Sequence, residues 1–237
     1  MYGWRAKIGI IIPSLNNTME PEFNKMVPRG VAVYATRLLL EKGLPKNLEK
    51  LATDTEVASD LIKTADVTGI LYGCTSGSLI KGVGWDQEII RRIESRTGIP
   101  ATTTATAVVE AFRELKVKTV AVATPYVDEV NRIEKDFFEA HGVKVVHIQG
   151  LGYTKGGELH RESPETAYLF ARKVDRPEAD CLFISCTDFA AIEVLNTLEQ
   201  DLGKPAMSSN TVSLWAILKK LGIKERIDDF GEILRHL

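Results

Sequence analysis

Two stretches of this chain stop an apolar run at a Cys-Thr pair: LYGCTSGS at residues 71–78 and FISCTDFA at residues 183–190. The chain has only three cysteines, yet two of them, Cys74 and Cys186, occupy these matching boundaries. Two thiols facing one small substrate can divide a reaction between them. One attacks carbon or removes a proton, and the other supplies a proton from the far side. The residues that follow, Thr75-Ser76-Gly77-Ser78 and Thr187-Asp188, add small hydroxyls and backbone N–H groups suited to a carboxylate or a developing oxyanion. If each pair opens a helix, the positive helix end lowers the thiol pKa toward neutrality and makes thiolate available. Cys181, inside the second apolar run, reads instead as a small buried hydrophobe.

Two further stretches could complete such a site. PSLNNTMEPEF, residues 13–23, follows the first apolar run and offers Asn16, an amide able to hold a carboxylate oxygen. ATPYVDEVN, residues 123–131, places Tyr126 at the corresponding turn of the second half. Both have plainer readings, Asn16 as a helix cap and Tyr126 as cover for a core edge. Metal chemistry is not expected. His141, His147, His160 and His236 are scattered, and the cysteines form no CxxC, which also excludes a disulfide framework. GLGYTKGG at 150–157 starts like a dinucleotide fingerprint, but Lys155 stands where the third glycine belongs.

The elements that must position these groups follow from the hydrophobic pattern. At 237 residues, with 44% hydrophobic residues and a formal net charge of −2, the chain is enzyme-sized. It carries no concentrated basic surface for nucleic acid. No run approaches a membrane span and the N-terminal apolar run is too short for a signal peptide, so the expected location is the cytoplasm. Asn16-Asn17-Thr18 matches the glycosylation triplet by accident on that expectation.

Short β-rich runs alternate with longer amphipathic segments: KIGIII, VAVYATRL, then LEKLATDTEVASDLIKTA, VTGILYGC, WDQEIIRRIESRTG and TAVVEAFRELK. The order then repeats from Lys118: KTVAVAT, VDEVNRIEKDFFEAHG, VKVVHIQ, SPETAYLFARKV, DCLFISC and FAAIEVLNTLEQDLG. Such alternation predicts parallel strands joined by helices. Gly98 and Gly142 fall where helix ends are expected. ADVTGILYGCT and ADCLFISCT align as Ala-Asp, buried strand, Cys-Thr. The expected architecture is therefore α/β, with two similar domains related by a pseudo-two-fold, each a parallel sheet flanked by helices, and a site in the cleft between them. Residues 1–116 with the C-terminal 208–237 form the first domain and carry Cys74; residues 117–207 form the second and carry Cys186.

On these residues the sequence resembles the aspartate/glutamate racemase superfamily, in the branch of maleate cis-trans isomerases and arylmalonate decarboxylases. Pro13-Ser14, Asn16 and Thr18-Met19-Glu20 are similar to the Pro-Ser-Ser-Asn-Thr-Thr-Met-Glu opening of maleate isomerases. The resemblance implies Cys74 as nucleophile, Cys186 as second catalytic cysteine and Tyr126 as substrate-binding. It implies that Asn16, Thr75, Ser76, Tyr126, Thr187, Ser209 and Asn210 hold the carboxylates of a small dicarboxylate. Maleate-to-fumarate isomerisation by thiolate addition is the leading expectation, without cofactor or metal, in a homodimer. Departures keep alternatives open. Thr75-Ser76-Gly77-Ser78 is closer to the Gly-Thr-Ser-Leu-Ser of the decarboxylases, which have glycine in place of Cys74, and Thr187-Asp188 is nearer the Cys-Thr-Glu of amino-acid racemases. A two-thiol racemase, a decarboxylase-like lyase and a non-catalytic carboxylate-binding protein are the other readings.

Overall fold

The computed structural model describes residues 2–155 and 157–237, without the side chains of residues 52 and 53. Its first half contains β1 (Ala6–Pro13), α1 (Met19–Met26), β2 (Val31–Leu38), α2 (Pro45–Thr53), α3 (Thr55–Lys63), β3 (Gly69–Tyr72), α4 (Thr75–Leu79), α5 (Trp85–Thr97), β4 (Ala101–Thr103) and α6 (Thr104–Glu114). The second continues with β5 (Thr119–Thr124), α7 (Asp128–Ala140), β6 (Lys144–Gly150), α8 (Pro164–Val174), β7 (Cys181–Ile184), α9 (Leu195–Leu202), β8 (Ala206–Ser208) and α10 (Ser209–Lys220). The strands form two four-stranded parallel sheets, ordered β2-β1-β3-β4 and β6-β5-β7-β8. The two sheets repeat one topology, and the chain is an α/β protein of two similar domains.

The central strands are apolar on both faces because helices cover both. On β1, Ile8, Ile10 and Ile12 join one core cluster while Ile11 joins another, and all four are fully buried. The clusters also stitch the halves together. Phe112 of α6 meets Phe138 of α7 and Phe183 of β7 edge-on, with ring centroids 5.3 and 6.0 Å apart. Helix α10 packs on α6, β3 and β4 as well as on β8.

Several expectations change in detail. The helix expected over LEKLATDTEVASDLIKTA is two, α2 and α3, meeting at Asp54, whose backbone is non-helical (φ −82°, ψ 7°). A short polar side chain there competes with the helix for backbone groups. FAAIEVLNTLEQDLG becomes helical only from a 3₁₀ turn at Ile192–Val194, leaving 187–191 as a turn. The three-residue strands β4 and β8 are too short to leave a periodic signal. Gly156, within GLGYTKGG, lies outside the described residues, and no helix opens between Leu151 and Lys155.

Candidate active site

Cys74 and Cys186 lie just beyond the carboxyl ends of β3 and β7, the equivalent strands of the two sheets. That is where open α/β sheets present ligand sites. Cys74 caps α4, and its Sγ accepts the Gly77 N–H at 3.3 Å, with Ser76 Oγ at 4.0 Å. Gly77 is needed for this approach, since a Cβ would stand 2.9 Å from both Cys74 Sγ and the Tyr72 hydroxyl oxygen.

Cys186 is held differently. Its φ of +98° is in a region that side-chain-bearing residues rarely adopt, and such strain costs about 1–3 kcal/mol and persists only where surroundings enforce it. Those surroundings come from both halves. The Cys186 N–H donates to Ser209 Oγ at 3.0 Å, and Ser209 Oγ is 2.8 Å from Thr75 Oγ1. Thr187 Oγ1 donates to the Gly73 carbonyl at 3.1 Å and accepts from Asn16 Nδ2 at 2.9 Å. The two Cys-Thr turns are therefore hydrogen-bonded to each other.

Asn16 caps the entry to α1 and lines the cavity. Its Oδ1 accepts the N–H groups of Thr18 and Met19, at 3.1 and 2.9 Å, at the entry to α1. Its amide donates to Thr187, which leaves the second amide hydrogen available to a ligand.

Asn16, Cys74, Thr75, Ser76, Tyr126, Cys186 and Thr187 all line one cavity of about 90 Å³. A cavity of this volume admits only a small ligand. Ser209 and Asn210 do not line it, which corrects the expectation that they touch a carboxylate. Both belong to the first turn of α10, and their polar atoms face protein. Ser209 braces Cys186 and Thr75, while Asn210 Nδ2 donates to Glu22 Oε2 at 2.6 Å and to the Thr187 carbonyl at 3.0 Å. They set the shape of the Cys186 turn from beneath.

The cavity also has residues that sequence reasoning missed. Leu15, Leu40, Leu48 and Leu159 make part of the lining apolar, and Lys155 is the one cation in the described lining. Lys155 pairs with Lys42 in an isolated antiparallel bridge. His160, from the same loop, stands 2.9 Å from the Leu15 carbonyl and 3.1 Å from Asp188 Oδ2, and Asp188 Oδ1 accepts the Asn17 N–H at 2.8 Å. The polar composition of 153–160 was the available signal, but nothing in it says which way the loop folds.

The expected lowering of the thiol pKa values does not occur. Burial pushes Cys74 up to about 11, against the downward pull of the Gly77 N–H and Ser76. Burial likewise raises Cys186, reinforced by the charge of Asp188 and opposed by the Asp188 N–H and Tyr126. The physical reason is that α4 has only five residues and Cys186 opens a turn rather than a helix, so little helix dipole acts against desolvation. A charge on Cys74 also raises the pKa of Cys186, so the two thiols do not ionise together. Tyr126 is held well above its ordinary pKa by burial and stays a hydrogen-bond donor. Among the described residues no group of three or more His, Cys, Asp or Glu is placed to hold a metal ion, and no helix is long and apolar enough to cross a membrane.

Residues 8–234 match the family model for arylmalonate decarboxylase, Amdase. The chain belongs to this family. Within the Amdase family it is similar to the maleate isomerase of Alcaligenes faecalis, 24% identical over 242 residues and 96% of each chain. Its fold matches the maleate isomerase of Pseudomonas putida S16 solved with maleate, at TM-score 0.93 with 21% identity over 98% of each chain. It also matches the maleate cis-trans isomerase of Nocardia farcinica, a cysteine-to-serine variant holding a covalently bound succinylcysteine intermediate. That match has TM-score 0.92 and 23% identity over 97% of this chain and 98% of the other.

Proposed function

We propose that this Amdase-family chain is a cofactor-independent isomerase that converts maleate to fumarate. The observation that carries the reading is the pair of thiols at equivalent strand ends, both lining one small cavity. The succinylcysteine in the Nocardia farcinica relative is the adduct such a reaction forms. Cys74 as thiolate adds to one alkene carbon, making a C–S bond while the π electrons move onto the neighbouring carbon and its carboxylate. Cys186 delivers its proton to that carbon. The former double bond is now single and rotates; Cys186 then recovers a proton as the C–S bond breaks, releasing the trans product and restoring the Cys74 thiolate. Asn16, Thr75 and Ser76 donate to the two carboxylates, Tyr126 and Thr187 line the cavity beside them, and the partner is a free small carboxylate. The setting we infer is a homodimer in the cytoplasm, to be checked by sedimentation and by fractionation of the cells that make it.

Proton NMR with maleate in deuterated water tests the reading directly, fumarate signals being the expected result. Cys74→Ser and Cys186→Ser should each lower turnover by at least about a thousandfold while the circular dichroism melt is retained. Near-normal turnover in both variants would remove the two-thiol mechanism. A second reading, decarboxylation of an arylmalonate, draws on the Thr75 and Ser76 hydroxyls beside Cys74, and release of carbon dioxide from phenylmalonate in the same assay would favour it.

A further inference from the structure

Glu134, on α7, is fully buried with no basic side chain acting on it. Its Oε1 lies 2.6 Å from Ser185 Oγ, while Oε2 has no hydrogen-bond partner among the described residues. Ser185 immediately precedes Cys186, and the Tyr126 side chain interacts with both the Ser185 hydroxyl and the Cys186 thiol. A carboxyl, two hydroxyls and a thiol thus form one file from the interior of the second domain to the cavity. An unpaired carboxylate in such an interior is strongly disfavoured, and burial pushes Glu134 up to about 8. At neutral pH it is a carboxylic acid with a hydrogen to donate.

We propose that Glu134 is a positioning residue for Cys186: its carboxyl hydrogen sets the direction of the file, so that Ser185 donates to Tyr126 and Tyr126 donates to the Cys186 sulfur once that thiol has delivered its proton. The inference rests on the two-thiol reading above. Each hydroxyl has one hydrogen, and one that accepts from a neighbour is free to donate onward. An ionised Glu134 only accepts. It draws the Ser185 hydrogen toward itself, Tyr126 loses its donor, and a second negative charge enters a dry site beside the nascent thiolate. No other titratable group competes. Helix α4, packed against α7, has none, α6 and β7 meet α7 through the rings of Phe112 and Phe183, and His147 on β6 is subject to Arg176, Gln149 and Glu178. The titratable groups that face Glu134 are Tyr126 and, through it, Cys186 and Cys74.

The test compares Glu134→Gln, Glu134→Leu and Ser185→Ala in the full chain. Two pH profiles are read: maleate turnover, and alkylation of Cys186 by iodoacetamide followed by peptide mass spectrometry. Wild type should show a bend in log kcat/KM near pH 8. The amide of Glu134→Gln donates but cannot ionise, so this variant should lose the bend while turning over at pH 7. Glu134→Leu and Ser185→Ala should lower kcat at pH 7 by about tenfold to a hundredfold, the scale for groups that orient a reacting side chain, with KM little moved. Cys186 alkylation should slow in parallel in these two and not in Glu134→Gln. A bend that survives in Glu134→Gln, or a Cys186 alkylation profile unmoved in all three variants, would leave Glu134 a packing role and overturn the proposal. Absence of fumarate in wild type would instead remove the functional reading, and the alkylation profiles would still decide the role of Glu134.

Discussion

Cys74 and Cys186 share a residue type and a neighbour, yet the fold treats them differently. Cys74, the attacking thiol of the proposed mechanism, has relaxed extended backbone and a backbone N–H aimed at its sulfur. Cys186 is strained at φ +98° and braced by Ser209. Both are neutral at rest, because burial outweighs the donors around them. A thiol with pKa about 11 carries thiolate in only about one molecule in 10⁴ at pH 7. Alkylation of Cys74 by iodoacetamide should therefore be slow at neutral pH and accelerate about tenfold per pH unit toward 11, as read by mass spectrometry. A plateau already reached near pH 7 would mean that the helix terminus prevails over desolvation.

At the scale of elements, α4 matters most despite its five residues. It brings Thr75 to Ser209, the Gly77 N–H to Cys74 and Ser76 to the cavity wall, all within one and a half turns. Gly77→Ala would push a methyl group against Cys74 Sγ and the Tyr72 hydroxyl, so α4 must move away from the thiol. The expected result is a loss of about 1–3 kcal/mol in denaturant unfolding and at least a tenfold fall in turnover, the second exceeding what stability alone explains. Full activity in Gly77→Ala would show that the close approach of α4 to the sulfur is dispensable.

Across the whole molecule, the halves act as one folding unit because side chains from both make single clusters. Phe112→Ala removes the ring that α6 presents to α7 and β7, and should cost about 3–5 kcal/mol while the melt stays a single transition. Buried acids tie stability to pH in the same way. Glu22, on α1, accepts the N–H groups of Ala191 and Ile192 at 3.0 and 3.4 Å and the Asn210 amide, yet burial raises its pKa from 4.5 to about 7. A folded value above the unfolded one means that folding favours the neutral acid. That contribution is complete below pH 4.5 and is lost as pH rises through 7, about 3 kcal/mol in full. Thermal melts should therefore fall between pH 5 and 8, and Glu22→Gln should flatten the decline. An identical decline in Glu22→Gln would assign it to other groups.

The sequence by itself determined the α/β class, the repeated order of strands and helices and the two Cys-Thr boundaries, because apolar periodicity is a local property that each segment carries wherever it packs. The residues of the cavity were legible where they sat at strand ends, as Asn16, Cys74, Tyr126 and Cys186 do. Only the tertiary structure decided what depends on neighbours distant in the chain. Ser209 and Asn210 turned out to brace the Cys186 turn, since what a side chain in the first turn of α10 touches is set by the packing of α1 and α4 against it. The thiol pKa values reversed direction because desolvation is a sum over the whole surrounding core, which no local motif encodes. Nothing in the sequence sets Glu134 apart from the other acids of α7, and its burial beside Ser185 follows from which face of α7 the second sheet covers.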